Sequence, residues 1–286
     1  MPIGSARLAT LYMGGGGAGG GGAPAPEGSW DLSTVSYNSK SFSVTSQEST
    51  PTSLFFKSDG TKMYIAGTTN DNVRQYSLST AWDVTTSSYD SVTYSISGQE
   101  GGVTDIFFKS DGTKMYVLGI NETVFQYSLS TAWVVSSASY DSVSFSVSDK
   151  ESTLANGLYF SPDGTKMYVL GANSDSVHYY SLSTAWVVSS ASFISSTSIF
   201  SQSANSHGIW FKPDGTRMYI TGKDTNTIFQ YSLSTAWATS TATYASQSYD
   251  ATSQDGNPSQ LYIKSDGLIL YMMGNSSDTV YQYALT

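Results

Sequence analysis

Carboxylate and amide side chains recur at matching places along this sequence of 286 residues, and they are its first candidates for chemistry. Acidic residues stand shortly before most of the repeated apolar segments, and Asn, Asp and Glu residues recur in the polar loops that follow. Two further candidates, Asp105 and His207, lie inside the apolar segments. Together, the candidate ligand-binding residues are Glu48, Asn70, Asp71, Glu100, Asp105, Asn121, Glu122, Glu151, Asn173, Asp175, His207, Asp224, Asp255 and Asp278. Such groups suit calcium or the hydroxyls of a sugar, although Asx residues also form tight turns without any ligand. Both interpretations stay open, with calcium as the candidate ion.

A hydrolase site would need two carboxylates, and the aligned repeats supply one. Aligning the five apolar segments places these residues at one level: Ser53, Asp105, Gly157, Gly208 and Gln260. The level before it contains Thr52, Thr104, Asn156, His207 and Ser259. Glycoside hydrolases use a pair of carboxylic acids, which Asp105 alone does not provide. We therefore expect no catalytic residues and no enzyme, and the two histidines, His178 and His207, do not suggest a transition-metal site.

Composition excludes several further classes. The chain has no cysteine, so it holds no disulfide, no Cys-ligated metal and no thiol nucleophile. Its net charge of −9 argues against nucleic-acid binding, which depends on Lys and Arg neutralising phosphates. No apolar run approaches the roughly 20 residues of a membrane-spanning helix, and no signal-peptide core is seen near the N-terminus. We expect neither membrane insertion nor a cleavable secretory signal.

A repeat determines the architecture. Asp-Gly recurs at residues 59, 111, 163, 214 and 266, and Trp recurs at residues 30, 82, 133, 186 and 237. The spacing is close to the roughly 40–50 residues of a four-stranded propeller blade. Each unit predicts four strands. The first carries an aromatic pair and leads through the Asp-Gly hairpin to a second strand of alternating pattern; a polar loop then precedes the third strand, and the fourth is rich in Ser, Thr and Tyr. We predict that the recurring Trp is a structural wedge between blades, and that Trp210, which replaces a first-strand aromatic, belongs to the core.

The two ends of the chain contain complementary parts of one blade. The last unit stops after its third strand, whereas residues 30–44 supply a Trp segment and a fourth strand with no blade of their own. Pairing these ends would close a ring and remove the edges of an open array. The sequence therefore predicts an all-β fold over residues 29–286, a five-bladed β-propeller of four-stranded blades closed by an N-terminal strand.

Residues 1–28 differ in kind from the repeats. An apolar stretch precedes residues 14–22, which are glycine except for Ala18, and Ala23-Pro24-Ala25-Pro26 follows. A glycine tract is typical of a flexible tether. Two interpretations stay open: a disordered tail, or an anchoring arm that docks on a partner, for instance by adding a strand to a sheet edge. The anchoring candidates, which a pure tether would not need, are Ile3, Leu8, Leu11, Tyr12 and Met13.

Two phrases of the repeat resemble a known group of propellers. Residues 161–170 (SPDGTKMYVL) look like the repeat named for its Tyr-Val-Thr-Asn motif, found in many extracellular and surface-layer proteins. With residues 126–133 (QYSLSTAW), they resemble tandem-repeat proteins of tailed bacteriophages, particularly marine ones, over nearly all of residues 30–286. The resemblance carries no catalytic motif, and it implies a virion-associated protein on a tail fibre or capsid surface.

From these features we expect a non-enzymatic bacteriophage structural protein, present in multiple copies at the virion surface and bound to other virion proteins through residues 1–28. Its propeller would serve adhesion to host cell-surface glycans, weak binding being multiplied by copy number. A capsid decoration or cement protein and a free lectin-like module are the alternatives, which the sequence does not separate.

Overall fold

The computed structural model describes residues 28–286, which form five four-stranded antiparallel sheets. Each sheet is one blade, and the five innermost strands pack against one another in a ring. The predicted all-β five-bladed propeller is confirmed. No helix in this part of the chain is long and apolar enough to cross a membrane.

The strands take equivalent places in every blade. The innermost strands are β2 (Pro51–Phe56), β6 (Val103–Phe108), β10 (Ala155–Phe160), β14 (Ser206–Phe211) and β18 (Pro258–Ile263). The second strands are β3 (Lys62–Gly67), β7 (Lys114–Gly119), β11 (Lys166–Gly171), β15 (Arg217–Gly222) and β19 (Ile269–Gly274). The third strands are β4 (Asn72–Leu78), β8 (Thr123–Leu129), β12 (Ser176–Leu182), β16 (Thr227–Leu233) and β20 (Thr279–Leu285). The outermost strands are β5 (Ser87–Ser95), β9 (Ala138–Ser146), β13 (Ala191–Ser198), β17 (Ala242–Asp250) and β1 (Val35–Ser43).

A short 3-10 helix precedes each outermost strand. The five helices are Leu32–Thr34, Val84–Thr86, Val135–Ser137, Val188–Ser190 and Thr239–Thr241. The inner three strands of a blade are buried along most of their length, because neighbouring blades cover both of their faces. The outermost strands instead alternate between half-buried and exposed residues, since only one face meets the next blade.

The fifth blade is completed by the N-terminal strand, as predicted. Strand β1 pairs antiparallel with β20, in a register that joins Val35 to Leu285 and Ser43 to Thr279. The two ends of the described chain therefore share one sheet. Closing the ring in this way removes the free strand edges that an open array would leave available for aggregation.

The hairpin between the first two strands explains the recurring Asp-Gly and Trp. Gly60 has a φ of +73°, and a Cβ there would lie 2.3 Å from the indole of Trp82, so only glycine suits the position. The backbone N–H of Trp82 donates to the Gly60 carbonyl at 3.0 Å. The same packing of an indole on a hairpin glycine recurs in all five blades.

The Trp133 ring stacks on Phe108 of its own blade and on Tyr64 of the neighbouring blade, with centroids 5.7 and 6.2 Å apart, which supports the predicted role as a wedge. The Tyr64 hydroxyl on β3 donates to the Trp133 carbonyl of the next blade at 2.7 Å. All five blade junctions contain this bond, at 2.5–2.7 Å. At four of the five junctions a third-strand glutamine adds a second link: Gln75, for example, accepts a hydrogen bond from the Val135 N–H at the start of the neighbouring 3-10 helix.

Candidate functional site

The innermost strands bring the two predicted levels of side chains to the propeller axis. A register shift near the start of each innermost strand turns these side chains inward. At the outer level, Thr52 donates to the Val103 carbonyl of the next blade at 2.6 Å, and Ser259 donates to the Pro51 carbonyl at 3.2 Å. These contacts link neighbouring blades around the axis.

The deeper level forms a hydrogen-bond network centred on Asp105. Its Oδ1 accepts from the Ser53 hydroxyl at 2.6 Å and from the Ile106 N–H at 2.8 Å. Its Oδ2 accepts from the Leu158 N–H at 2.7 Å and from the Gln260 amide at 2.5 Å. The side chain thus connects four blades across the axis, and it is fully buried.

Glycine at the two remaining positions of this level leaves room for the network. A Cβ on Gly208 would lie 2.6 Å from the Gln260 amide oxygen, and a Cβ on Gly157 would lie 2.9 Å from the Ile209 side chain. Burial raises the pKa of Asp105 to about 7, although all four hydrogen bonds favour the ionised form. Because both oxygens are occupied by protein donors and none is exposed, Asp105 closes the axis rather than facing a ligand.

Above this network, the loop face carries an axial pocket with a volume of about 210 Å³. Its polar lining is hydroxyl and amide, apart from one imidazole and one lysine: Thr50, Thr52, Thr68, Thr104, Asn156, His207, Lys223 and Asn275. Two apolar residues flank it, Ile120 and Leu154, which are 46% and 57% exposed. His207 is the one candidate ligand-binding residue predicted from sequence that lines this pocket. Burial, assisted by Lys223, lowers the pKa of His207 to about 3, so its imidazole is neutral at physiological pH.

The sequence alignment placed Thr52, Thr104 and Asn156 at the axis but did not select the other lining residues as candidates, although a positional signal exists. Thr68, Ile120, Lys223 and Asn275 each directly follow the glycine that ends a second strand. That position faces the axis in the closed ring. The residue type differs from blade to blade, so the position does not stand out as a motif.

The carboxylates that precede the innermost strands are buried, and they bind the polar loop of their own blade. Glu48 accepts from the backbone N–H groups of Thr50 and Thr69 and forms a 2.7 Å ion pair with Arg74. Glu100 accepts from the Asn121 side chain at 2.6 Å. Both loops therefore lie on one face, but these carboxylates are directed into protein and not toward solvent.

In the other three blades, too, a carboxylate accepts hydrogen bonds that join the segment before the innermost strand to the polar loop, but the donors differ. Asp255 accepts from the N–H groups of Asn257, Ser276 and Ser277, and Glu151 accepts from Ser174. In the fourth blade the carboxylate has changed places: Asp224 lies in the loop and accepts from Ser203 at 2.6 Å.

His178 takes the position that Arg74 has in the first blade. Its Nε2 lies 3.6 Å from Glu151, and its two ring nitrogens are 3.0 and 2.8 Å from the hydroxyls of Ser174 and Ser196. The structure shows it as a buried hydrogen-bonding group beside a carboxylate.

Four other candidates form turns. Asp71, Glu122, Asp175 and Asp278 have φ values between +46° and +52°, the left-handed conformation that ends the loop before each third strand. The carbonyl of each accepts a hydrogen bond from the residue that follows the outermost strand of the sheet, at 2.7–2.8 Å. Asn70 and Asn173 are exposed in the same loops. Over residues 28–286, no three Asp, Glu or His side chains converge in a way that could hold a metal ion.

The opposite face, where the Asp-Gly hairpins lie, has an axial cavity that sequence reasoning did not predict. It is lined by the first aromatic residue of each innermost strand, and Trp210 among them is partly exposed. Trp210 therefore lines a cavity instead of belonging wholly to the core. The anchoring candidates Ile3, Leu8, Leu11, Tyr12 and Met13 lie outside the described residues.

No protein-family model and no curated protein matches this chain. Among solved structures, it is similar to a functionally unknown protein from Desulfotomaculum acetoxidans DSM 771, with a TM-score of 0.50, 13% identity and coverage of 79% of this chain and 66% of that one. Proteins from Bacteroides fragilis NCTC 9343 and Bacteroides uniformis ATCC 8492, each provisionally named a 6-phosphogluconolactonase, match with TM-scores of 0.48 and 0.49 at 13% identity. These matches cover 70% and 81% of this chain and 55% and 65% of theirs. The chain thus spans between about half and two thirds of the length of these structures. At 13% identity, the match to the Desulfotomaculum acetoxidans protein indicates a shared fold and nothing further.

Proposed function

We propose that this chain is a non-enzymatic display protein whose loop-face axial pocket binds neutral carbohydrate, and whose N-terminal arm attaches it to a larger particle. The observation that carries the proposal is the chemistry of that pocket. Threonine hydroxyls, two amides and a neutral imidazole line it beside two exposed apolar side chains. A sugar ring presents the complementary surface, with hydroxyls on its edge and C–H groups on its faces.

The volume and charge of the pocket narrow the ligand class. At about 210 Å³ it is smaller than the roughly 300–1,000 Å³ of sites for drug-sized ligands, which favours one sugar ring over a buried oligosaccharide. Its one charged lining residue is Lys223, while the nearby carboxylates bind their own loops. Weak binding of a single ring becomes effective when many copies act together.

The position of Gly28, the first described residue, supports the display geometry. The Gly28 N–H donates to the Asp266 carbonyl at 2.6 Å, on the hairpin of the fifth blade. An anchor preceding residue 28 would therefore be joined to the hairpin face and would leave the loop face free. The resemblance of the repeats to those of tailed-phage proteins suggests a virion as this particle and a host-surface glycan as the ligand.

A glycosidase is the less favoured alternative, because Asp105 lies below the pocket with both oxygens hydrogen-bonded. A general acid or a nucleophile must instead reach the reacting sugar.

A glycan array probed with a multimerised full chain tests the proposal. We expect binding to neutral glycans, and we expect His207→Ala to weaken it about tenfold, since it removes a neutral hydrogen-bonding group from the pocket. Asn173→Ala is the matched control, because Asn173 is exposed on the same face outside the pocket. Absence of binding to every glycan, or equal losses in the two variants, would contradict the proposed site.

The anchoring part has its own test. A chain lacking residues 1–28 should remain a folded propeller but fail to join particles assembled in its presence. Normal incorporation of the truncated chain would contradict an N-terminal anchor.

A further inference from the structure

The segment that leads into the innermost strand is one residue longer in the third blade than in the other four. In the first blade, the carbonyl of Thr50, two residues after Glu48, accepts a hydrogen bond from the Thr68 N–H at 3.2 Å. The equivalent acceptors of the second, fourth and fifth blades, each two residues after the residue that aligns with Glu48, are Gly102, Asn205 and Asn257. In the third blade the acceptor is Leu154, which lies three residues after Glu151.

The extra residue coincides with an unusual backbone conformation at Leu154. Its φ is +62°, in the left-handed region that a bulky side chain rarely adopts. Its N–H donates to Oε1 of Glu122, in the polar loop of the second blade, at 3.0 Å, whereas the Thr50 N–H donates to Glu48 of its own blade at 3.1 Å. Within residues 28–286, Oε1 of Glu151 is left without a hydrogen-bond partner. The third blade thus gives up a local hydrogen bond and a relaxed backbone at this position.

The side chain of Leu154 gains little packing in return. It lines the axial pocket of the loop face and is 57% exposed, so its burial contributes little to the fold. Backbone strain that packing does not offset is found mainly at functional positions. Ile120 of the second blade lines the same pocket and is 46% exposed. It lies over Gly102, where an added Cβ would be 3.1 Å from the Ile120 side chain.

Leu154 and Ile120, the apolar pair, give the pocket one apolar side. At the level of the loops, the first, fourth and fifth blades contribute only polar lining residues: Thr50, Thr68, Lys223 and Asn275. The second and third blades contribute the apolar pair at this level. Both side chains are branched and aliphatic, and neither offers the flat aromatic face on which a sugar ring stacks. They suit a small apolar substituent of the ring instead.

We propose that the apolar pair is a subsite for a methyl group carried by the bound sugar, an inference that rests on the proposed carbohydrate binding. Sugars carry such a group as C6 of a 6-deoxyhexose or at the end of an N-acetyl substituent. In either case the methyl group would lie against Leu154 and Ile120, while the ring hydroxyls face the polar residues of the other blades. Burying one methyl group against apolar side chains strengthens binding about fourfold.

NMR titration of the full chain with matched monosaccharides tests the subsite. One arm compares galactose with 6-deoxygalactose of the same enantiomer, and the other compares glucose with N-acetylglucosamine, so the two sources of the methyl group are distinguished. We expect the methyl-bearing sugar to bind about threefold to tenfold more tightly in at least one arm. Saturation transferred from the protein to that sugar should be largest at its methyl protons.

Two variants remove the subsite without disturbing the core. Leu154→Asn introduces a residue type that accepts positive φ, so its melting temperature should equal or exceed that of the wild type. Ile120→Thr introduces the residue type that the first blade has at this position, as Thr68. Each variant should lose the methyl preference and still bind galactose or glucose as the wild type does. Ile194→Asn is the matched control and should keep the preference, because Ile194 is 53% exposed on β13, outside the pocket.

A methyl preference that survives in both variants would overturn the proposal. So would equal binding of the two sugars in each arm by a pocket that is still weakened by His207→Ala, a result that leaves the carbohydrate site itself intact. Absence of binding by all four sugars would also overturn it, and the proposed function fails with it when the glycan array shows no binding either.

Discussion

Replacing Asp105 by Asn should change how the stability of the propeller depends on pH. Burial raises the pKa of Asp105 from an ordinary value of 3.8 to about 7. A carboxyl group whose pKa is higher in the folded than in the unfolded state stabilises the fold fully below the unfolded value, and this stabilisation is lost as the pH rises to the folded value. The shift corresponds to about 4 kcal/mol, lost between about pH 4 and pH 7.

The geometry explains why a neutral group is tolerated at this position. The Ser53 hydroxyl can accept as well as donate, and its oxygen already accepts from the Ile106 N–H at 2.9 Å, so that N–H keeps an acceptor. The amide introduced by Asp105→Asn can therefore donate to Ser53 while its oxygen keeps the bonds from Leu158 and Gln260. We expect the free energy of unfolding of the Asp105→Asn variant to change less between pH 5 and pH 8 than that of the wild type. The variant would thus gain stability relative to the wild type as the pH rises.

Urea unfolding followed by tryptophan fluorescence at pH 5 and pH 8 measures this difference. Asp59→Asn is the control: although burial opposes it, hydrogen bonds from Lys57 and Thr61 lower the pKa of Asp59 to about 2, so this group does not titrate in the window. Parallel pH profiles for Asp105→Asn and the wild type, or a variant that becomes relatively less stable at pH 8, would refute the reasoning. Either result would mean that the four hydrogen bonds outweigh burial and keep Asp105 ionised throughout.

Three further substitutions test contacts within a blade and between neighbouring blades. Gly60→Ala should lower the free energy of unfolding, measured by heat or urea, by more than about 1 kcal/mol, because the φ of Gly60 is +73° and an added Cβ would overlap an indole. Gly98→Ala is the control: an added Cβ there meets no atom within 4 Å, so this variant should be as stable as the wild type. Tyr64→Phe should lower the free energy of unfolding by about 1 kcal/mol, because it removes the inter-blade hydrogen bond. Tyr76→Phe should not change it, because the buried Tyr76 hydroxyl has no partner within the described structure. Equal effects of the two substitutions would contradict the role given to that bond. Arg74→Ala should lower the free energy of unfolding by about 3–5 kcal/mol, because it leaves Glu48 buried without its ion-pair partner. A loss below about 1 kcal/mol would show that the loop N–H groups alone stabilise the buried Glu48 carboxylate.

The sequence predicts this fold well because the period of the repeat carries most of the information. Asp-Gly needs a residue that accepts positive φ, and each Trp needs that same glycine as its packing surface, so both markers recur with every blade. The split blade at the chain ends then implies closure, which the pairing of β1 with β20 confirms. Aligning the innermost strands also places Ser53, Asp105 and Gln260 correctly at one level.

The candidate site could not be predicted to the same degree, because the role of a carboxylate depends on which N–H groups face it. Glu48 and Asp255 look available in the sequence, yet both are directed into their own loops. In the fourth blade, Ser203 precedes the innermost strand and Asp224 supplies the carboxylate from the polar loop instead. The loop therefore requires one carboxylate, which either the segment before the innermost strand or the loop itself can provide. The contact between these two segments becomes visible only in the structure, where they lie side by side.

The axis is the part of the molecule where the five copies stop being equivalent. Residues that keep the same type in every blade, such as the hairpin Gly and its Trp, form the contacts that every blade needs. The axial level beneath the loop face instead varies, as Thr52, Thr104, Asn156, His207 and Ser259. Two of these side chains, Thr52 and Ser259, donate hydrogen bonds to the backbone of a neighbouring blade. Four of the five, Thr52, Thr104, Asn156 and His207, line the loop-face pocket, so five copies of one blade produce a pocket whose lining is asymmetric.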